Sequence, residues 1–241
     1  ASMDFPGANP AFPGTVAHAA PVGEAVSPSS VQGAPLEVLR VGIIGVDTSH
    51  APAFTRWFHA APADSPMAGI RVVAALPAPT DMPASRNRVA GFSAQLRDLG
   101  VEMVDSMDAL LERVDAVMLQ NVDGRVHLQR AREVFPKVRR VFIDKPMAGG
   151  LAEVMALFEL ARRHGAVCWS SSSTRFAPDL VALREREWTG PIHGVSTWGP
   201  CAYQDGTPDL LFYGIHGIEA LFALMGSGCS AVSRVRGGGT D

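Results

Sequence analysis

Apolar residues recur along this chain with two different spacings, and the two alternate. Leu39-Arg40-Val41-Gly42-Ile43-Ile44-Gly45 is a short apolar run of the buried-strand kind. The polar cluster Asp47-Thr48-Ser49-His50 follows. Phe54, Trp57, Phe58 and Ala61 then mark one face of a helix. Pro52 suits its first turn, where no N–H is needed, and Thr48 or Ser49 can cap it. Arg71–Leu76 predicts a second strand, ended by Pro77 and Pro79. Val89, Phe92, Leu96 and Leu99 predict a helix that stops at Gly100. Val101–Val104 predicts a third strand, and Ser106 caps a helix carrying Leu110 and Leu111. Strands over Asp115–Leu119, Val138–Ile143 and Ala166–Trp169 alternate with helices over Arg125–Phe135 and Leu151–His164, the latter stopped by Gly165.

Apolar strands that alternate with amphipathic helices require a parallel sheet covered on both faces. The expected fold class is therefore α/β, a doubly wound sheet over residues 36–172. The serine run Ser170–Ser173 leads out of it. The pattern then changes. A helix is expected over Pro178–Glu187, a half-exposed strand over Ile192–Trp198, a strongly apolar helix over Tyr213–Met225 and a strand over Ser230–Arg236. This describes the start of an α+β domain over residues 173–241. Two strands cannot cover such an apolar helix, so the domain is expected to be incomplete in this chain or completed by another. Residues 1–35 are rich in Ala, Pro, Gly and Ser without either period, and are expected to form a poorly ordered arm.

Composition narrows the function. The 241 residues are 47% hydrophobic and 19% charged, enough for a core and too apolar for a disordered chain. With 21 Lys+Arg against 24 Asp+Glu there is no basic excess to bind nucleic acid. No apolar run reaches the roughly 18 residues of a membrane span. Cys168, Cys201 and Cys229 are odd in number and widely spaced, which suits buried spectators in a reducing, cytoplasmic setting, with a processed exported form as the alternative. No His-Glu-x-x-His or cysteine cluster supports a metal site from Asp47, His50 and His127, so none is expected.

The turn after the first strand is where a dinucleotide fingerprint would sit. Of the glycines in G-x-G-x-x-G only the first is kept, as Gly45; Asp47 and His50 hold the other two places. Asp47 would repel a diphosphate. Thr48, Ser49 and the helix N-terminus would attract one. No acid directly follows Leu76 to take the ribose hydroxyls, and Asp81 would reach them only if its loop folds back, which favours NADP or no dinucleotide over NAD. Lys145 closes the strand Val141–Ile143 and should point into the crevice where such sheets bind ligands.

Together these residues resemble the Gfo/Idh/MocA oxidoreductases, the glucose–fructose oxidoreductase and inositol dehydrogenase group. The resemblance rests on Val41-Gly42-Ile43-Ile44-Gly45, Val114-Asp115-Ala116-Val117, His127, Asp144-Lys145-Pro146, Thr174-Arg175-Phe176, and Gly214-Ile215-His216 entering an apolar helix that ends Leu224-Met225-Gly226. It implies an NAD- or NADP-binding Rossmann domain, an α+β domain with an open antiparallel sheet, sugar-like or cyclitol substrates and homo-oligomers. It implies catalytic roles for Lys145 and His216. The expected cofactor-binding set is Gly45, Asp47, Thr48, Ser49, His50, Asn121, Asp144, Lys145 and Pro146. His127 is expected to be structural or close to the cofactor, and Arg175-Phe176 a packing pair at the domain boundary. The family's carboxylate four residues before the histidine is Phe212 here, and its Asp three residues after is Glu219; Tyr213 or Asp209 is the expected substitute for the first. The alternatives are a relative that keeps the fold without dinucleotide redox activity, or one that uses a tightly held cofactor for transient oxidation.

Overall fold

A computed structural model describes residues 38–185, 190–205, 207 and 209–235. The arm expected over 1–35, and the last residues of the helix and strand expected to reach Glu187 and Arg236, lie outside the described residues. Six strands, β1 (Leu39–Ile44), β2 (Ile70–Leu76), β3 (Glu102–Met103), β4 (Ala116–Leu119), β5 (Arg140–Ile143) and β6 (Val167–Trp169), form one parallel sheet in the order β3-β2-β1-β4-β5-β6. That is the doubly wound order, and its switch point lies between β1 and β4.

Side-chain alternation decides which helix covers which face. Val41, Ile43, Val72, Ala75, Ala116 and Met118 point to one side, under α1 (His50–His59) and α2 (Pro83–Asp98). Ile44, Ala74, Val117, Leu119, Val141 and Ile143 point to the other, under α3 (Met107–Leu111), α4 (His127–Val134) and α5 (Leu151–His164). Full burial of a side chain such as Ile43 stabilises by about 1.5–3 kcal/mol. Gly42 lets α3 come close: a Cβ there would lie 2.8 Å from Leu110. Ser106 caps α3, its hydroxyl accepting from the Ala109 N–H at 3.3 Å, a contact worth about 1 kcal/mol.

Beyond the sheet, α6 (Pro178–Arg184) and α7 (Ile215–Met225) pack together and against the turn Ser173–Phe176. The strands expected over 192–198 and 230–235 do not form, and no strand follows Trp169 among the described residues. A strand needs a neighbouring strand to take its N–H and C=O groups, and among the described residues no strand pairs with either segment. Trp198 is 91% exposed, so its alternation has nothing to pack against. The described residues up to 228 make one compact unit; residues 229–235 fall outside it and carry no regular structure. No helix among the described residues is long and apolar enough to cross a membrane.

Candidate active site

The turn after β1 is built around Gly45. Its φ is +90°, and a Cβ there would lie 2.4 Å from the Asn121 side chain and 2.6 Å from the Asn121 backbone nitrogen. Only glycine fits both the angle and the space. Asp47 is fully buried and turned inward. Its carboxylate accepts from Ser85 Oγ at 2.6 Å, the Val122 N–H at 2.9 Å and Asn121 Nδ2 at 3.2 Å. Asn121 Nδ2 also donates to the Ala78 carbonyl, and its Oδ1 accepts from Arg130. Burial pulls the Arg130 guanidinium below its ordinary pKa, against the opposing charges of Asp47 and Asp123. Asp47 thus serves as an internal acceptor that ties the β1 turn to α2 and to the end of β4.

That orientation changes what the turn offers. Thr48 Oγ1 accepts from the His50 N–H at 3.3 Å, while Ser49 sits at the cap position with no side-chain bond. No partner is found among the described residues for the N–H groups of Thr48 and Ser49. These donors open onto the carboxyl ends of the strands, with the helix dipole behind them. At the end of β4, both polar atoms of the buried Gln120 amide lack a partner among the described residues.

The loop after β5 supplies the other wall. Asp144 is 3% exposed. One carboxylate oxygen takes the Lys145 N–H at 2.8 Å, and the other binds His50 Nδ1 at 2.6 Å. His50, replacing the third fingerprint glycine, therefore reaches across from α1 to the lysine loop. His127 holds the loop from beneath, its Nδ1–H donating to the Met147 carbonyl at 3.1 Å. Burial pulls the His127 pKa down and keeps the ring neutral, with Nε2 unpartnered. Gly124 lets the backbones meet, since a Cβ there would lie 2.7 Å from the Pro146 carbonyl. The Lys145–Pro146 bond is cis.

Lys145 extends toward the segment before α7. Its Nζ lies 3.4 Å from the Phe212 carbonyl, and 5.7 and 5.5 Å from the ring centres of Phe212 and Tyr213. Burial lowers the lysine pKa, and Asp144 opposes the shift. His216, in the first turn of α7, has its Nδ1 2.5 Å from Ser172 Oγ and its ring 5.9 Å from that of Tyr213. Its pKa is lowered first by burial and then by the charges of Lys145 and His50, with Asp144 acting the other way. Lys145, His50, Asp144 and His216 therefore share one electrostatic neighbourhood.

Gly45, Thr48, Ser49, His50, Asn121, Asp144, Lys145 and Pro146 all lie at the carboxyl edge of the sheet. Of the two residues expected as substitutes for the missing carboxylate, Tyr213 stands beside both Lys145 and His216; the side chain of Asp209 is not among those described. The loop after β2 does fold back. Asp81 pairs with Arg125 at 2.9 Å, and Arg125 also binds Asp123 at 2.7 Å. Burial pushes Asp123 up, but Arg125 outweighs it and holds the carboxyl below its ordinary pKa. These three line a depression of about 360 Å³ with Pro79, Thr80 and Arg130. Sequence reasoning missed Ser85, Ser172, Arg125 and Arg130. Their types carry no signal at those spacings, and only the fold brings them to the site. No three His, Cys, Asp or Glu side chains converge as a metal site among the described residues.

Residues 39–172 match the family model described as oxidoreductase family, NAD-binding Rossmann fold, GFO_IDH_MocA. This chain belongs to the Gfo/Idh/MocA oxidoreductase family. No curated protein matches its sequence. Among solved structures, this Gfo/Idh/MocA chain is similar to KijD10, a 3-ketoreductase from Actinomadura kijaniata in complex with NADP. The two share 23% identity over 62% of this chain and 43% of that one, with a TM-score of 0.47. The WlbA dehydrogenase from Bordetella pertussis, in complex with NADH and UDP-GlcNAcA, is 18% identical over 64% and 41%, with a TM-score of 0.47. Apo scyllo-inositol dehydrogenase from Lactobacillus casei is 18% identical over 62% and 41%, with a TM-score of 0.47. The Gfo/Idh/MocA chain thus spans about two fifths of the length of these structures.

Proposed function

We propose that this protein is an NAD(P)-dependent oxidoreductase acting on a secondary hydroxyl of a sugar, cyclitol or related polyol. The carrying observation is the grouping of Lys145 and His216 about one ring: Lys145 Nζ lies 5.5 Å from the centre of Tyr213 and the His216 imidazole 5.9 Å from it, and burial first, then the lysine charge, lowers the histidine pKa. In this reading residues 36–172 form the dinucleotide domain and residues 173–241 begin the substrate and oligomerisation domain.

The residues fit a dinucleotide. The free N–H groups of Thr48 and Ser49 would hold its diphosphate, on a turn that Gly45 lets close against Asn121. The inward turn of Asp47 removes the repulsion that its position suggests. Asp81, Arg125 and Thr80 line the side where the adenosine ribose would lie. Arg125 is already committed to two carboxylates, and Asp81 can accept from a ribose hydroxyl, so both NAD and NADP stay within this proposal. When bound, the nicotinamide supplies the hydride acceptor or donor.

The chain's own residues manage the proton and the charge. A lysine ammonium held among aromatic faces and a carbonyl stabilises negative charge growing on the substrate oxygen. Neutral His216 takes the hydroxyl proton, or returns it in the reverse direction. Asp144 fixes the lysine backbone and orients His50. Phe212 in place of a carboxylate favours a second reading, a family member that binds a sugar without redox turnover. The free thiols of Cys168, Cys201 and Cys229 support a cytoplasmic location.

Thermal unfolding with NAD(H) and NADP(H), together with turnover on a polyol panel, tests the proposal. A melting shift with either dinucleotide is expected, and Lys145→Ala and His216→Ala should each lower turnover at least about 100-fold while leaving the shift from the oxidised form in place. No shift at millimolar dinucleotide selects the second reading.

A further inference from the structure

Ser172 is buried, 1% exposed, where the chain leaves the sheet, and it lies outside every residue set assigned so far. Its hydroxyl oxygen has three close neighbours: His216 Nδ1 at 2.5 Å, Thr174 Oγ1 at 2.6 Å and the Thr174 N–H at 3.2 Å. Thr174 Oγ1 in turn lies 3.4 Å from the His216 carbonyl. A serine hydroxyl has one proton to give and two lone pairs to fill.

Proton counting orders this ring. The His216 carbonyl can only accept, so Thr174 spends its hydroxyl proton there. Thr174 Oγ1 must then accept from Ser172. With its proton used, Ser172 can only accept from His216 Nδ1–H, and the Thr174 N–H fills its other lone pair. The reverse ordering, with Thr174 donating to Ser172 and Ser172 to Nδ1, would forgo the contact to the His216 carbonyl; in the ordering that keeps it, the imidazole proton sits at Nδ1. The Nε2 lone pair is left for the substrate.

Glu219 holds Ser172 in place. Its Oε2 accepts from the Ser172 N–H at 2.8 Å, and Arg175 lies 3.9 Å from the same oxygen. This carboxylate stands one turn after His216 on α7, so a single helix carries both the imidazole and the clamp on its partner. Position 212, where the resemblance implies a carboxylate, is Phe, and this ring orients the imidazole instead.

We infer that Ser172, held by Glu219 and closed by Thr174, is a positioning residue that fixes His216 as the Nδ1–H tautomer and so makes it a proton acceptor at rest. The inference rests on His216 acting on the substrate hydroxyl. The charged and titratable groups acting on the imidazole are Lys145, His50 and Asp144 across the crevice, with the Tyr213 ring beside it.

Imidazole nitrogen NMR of the whole protein, with selectively labelled histidine and His216 assigned by its loss in His216→Gln, tests this without any turnover. The wild type should show a protonated Nδ1 and an unprotonated Nε2 at pH 8. Ser172→Ala should move the signal to the Nε2–H form or to a mixture, and Ser172→Thr should restore the wild-type pattern. Thr174→Val, at an exposed position, frees the Ser172 proton to donate to Nδ1 and should shift the tautomer in the same direction. It carries the test if Ser172→Ala does not fold. An Nε2–H wild type, or a tautomer unmoved in the folded variants, overturns the inference. Failure of the redox proposal would appear instead as no dinucleotide melting shift with the tautomer pattern intact.

Discussion

Replacing Asp47 by alanine removes a fully buried carboxylate and strands the groups that point at it. Asn121 Nδ2 keeps the Ala78 carbonyl. The Val122 N–H loses its acceptor, and Ser85 loses the acceptor for its hydroxyl proton while still receiving the Thr80 N–H. Each stranded buried donor costs about 1–3 kcal/mol, so Asp47→Ala should lose about 2–6 kcal/mol. Asp47→Asn keeps an oxygen for Val122 and turns its amide toward Ser85, whose hydroxyl can rotate to accept; about 1 kcal/mol is expected there. Urea unfolding measures both. Losses equal within about 0.5 kcal/mol, the usual limit for minor substitutions, would refute the inward role. Dinucleotide affinity gives a second check. A carboxylate about 5 Å from a phosphate charge would repel it by about 3 kcal/mol at an effective dielectric of 20, more than a hundredfold in Kd. Because the side chain faces inward, Asp47→Asn should leave NADPH affinity within about threefold, a change under about 0.7 kcal/mol. A hundredfold tightening would show the carboxylate facing the ligand after all.

Gly45→Ala should cost at least about 2 kcal/mol, because the positive φ and the Asn121 backbone both resist a Cβ; a urea midpoint equal to wild type would contradict it. The pKa values of His127 and His216 are depressed in the folded chain, mainly by burial. The unfolded histidines titrate near about 6.5 and take up protons first, so stability is full above that pH and falls as the pH drops through it. The urea midpoint should therefore fall between pH 7.5 and 5, and His127→Gln should flatten the fall; a midpoint that rises toward acid would overturn the assignment. Burial raises the Cys168 thiol pKa, so Cys168 should react with a thiol reagent at pH 7.5 more slowly than an unfolded control; equal rates would show an accessible thiolate.

The sheet and its helices were legible because their signals are local. Helix α5 has the predicted bounds, Leu151–His164, since an apolar stripe runs into Gly165, which takes φ +61° at the C-cap. Lys145 and His216 were legible from motifs at fixed places along the chain. The direction of Asp47 was not. Its partners Ser85 and Val122 are 38 and 75 residues away, and no residue type announces such a pairing. The segments 192–198 and 230–235 failed for the opposite reason. Alternation there is real, but a strand is a property of pairs, and no partner segment is present among the described residues to receive them.

The contact between Lys145 Nζ and the carbonyl of residue 212 has a consequence for how this site tolerates change. A main-chain oxygen is supplied by any amino acid, so the side chain at 212 can drift while the lysine keeps its anchor. Phe212 is a residue that this arrangement admits. Its ring is buried with Met82 and Val122, from the loops that follow β2 and β4, and makes an apolar joint between the sheet and the helix that carries the histidine.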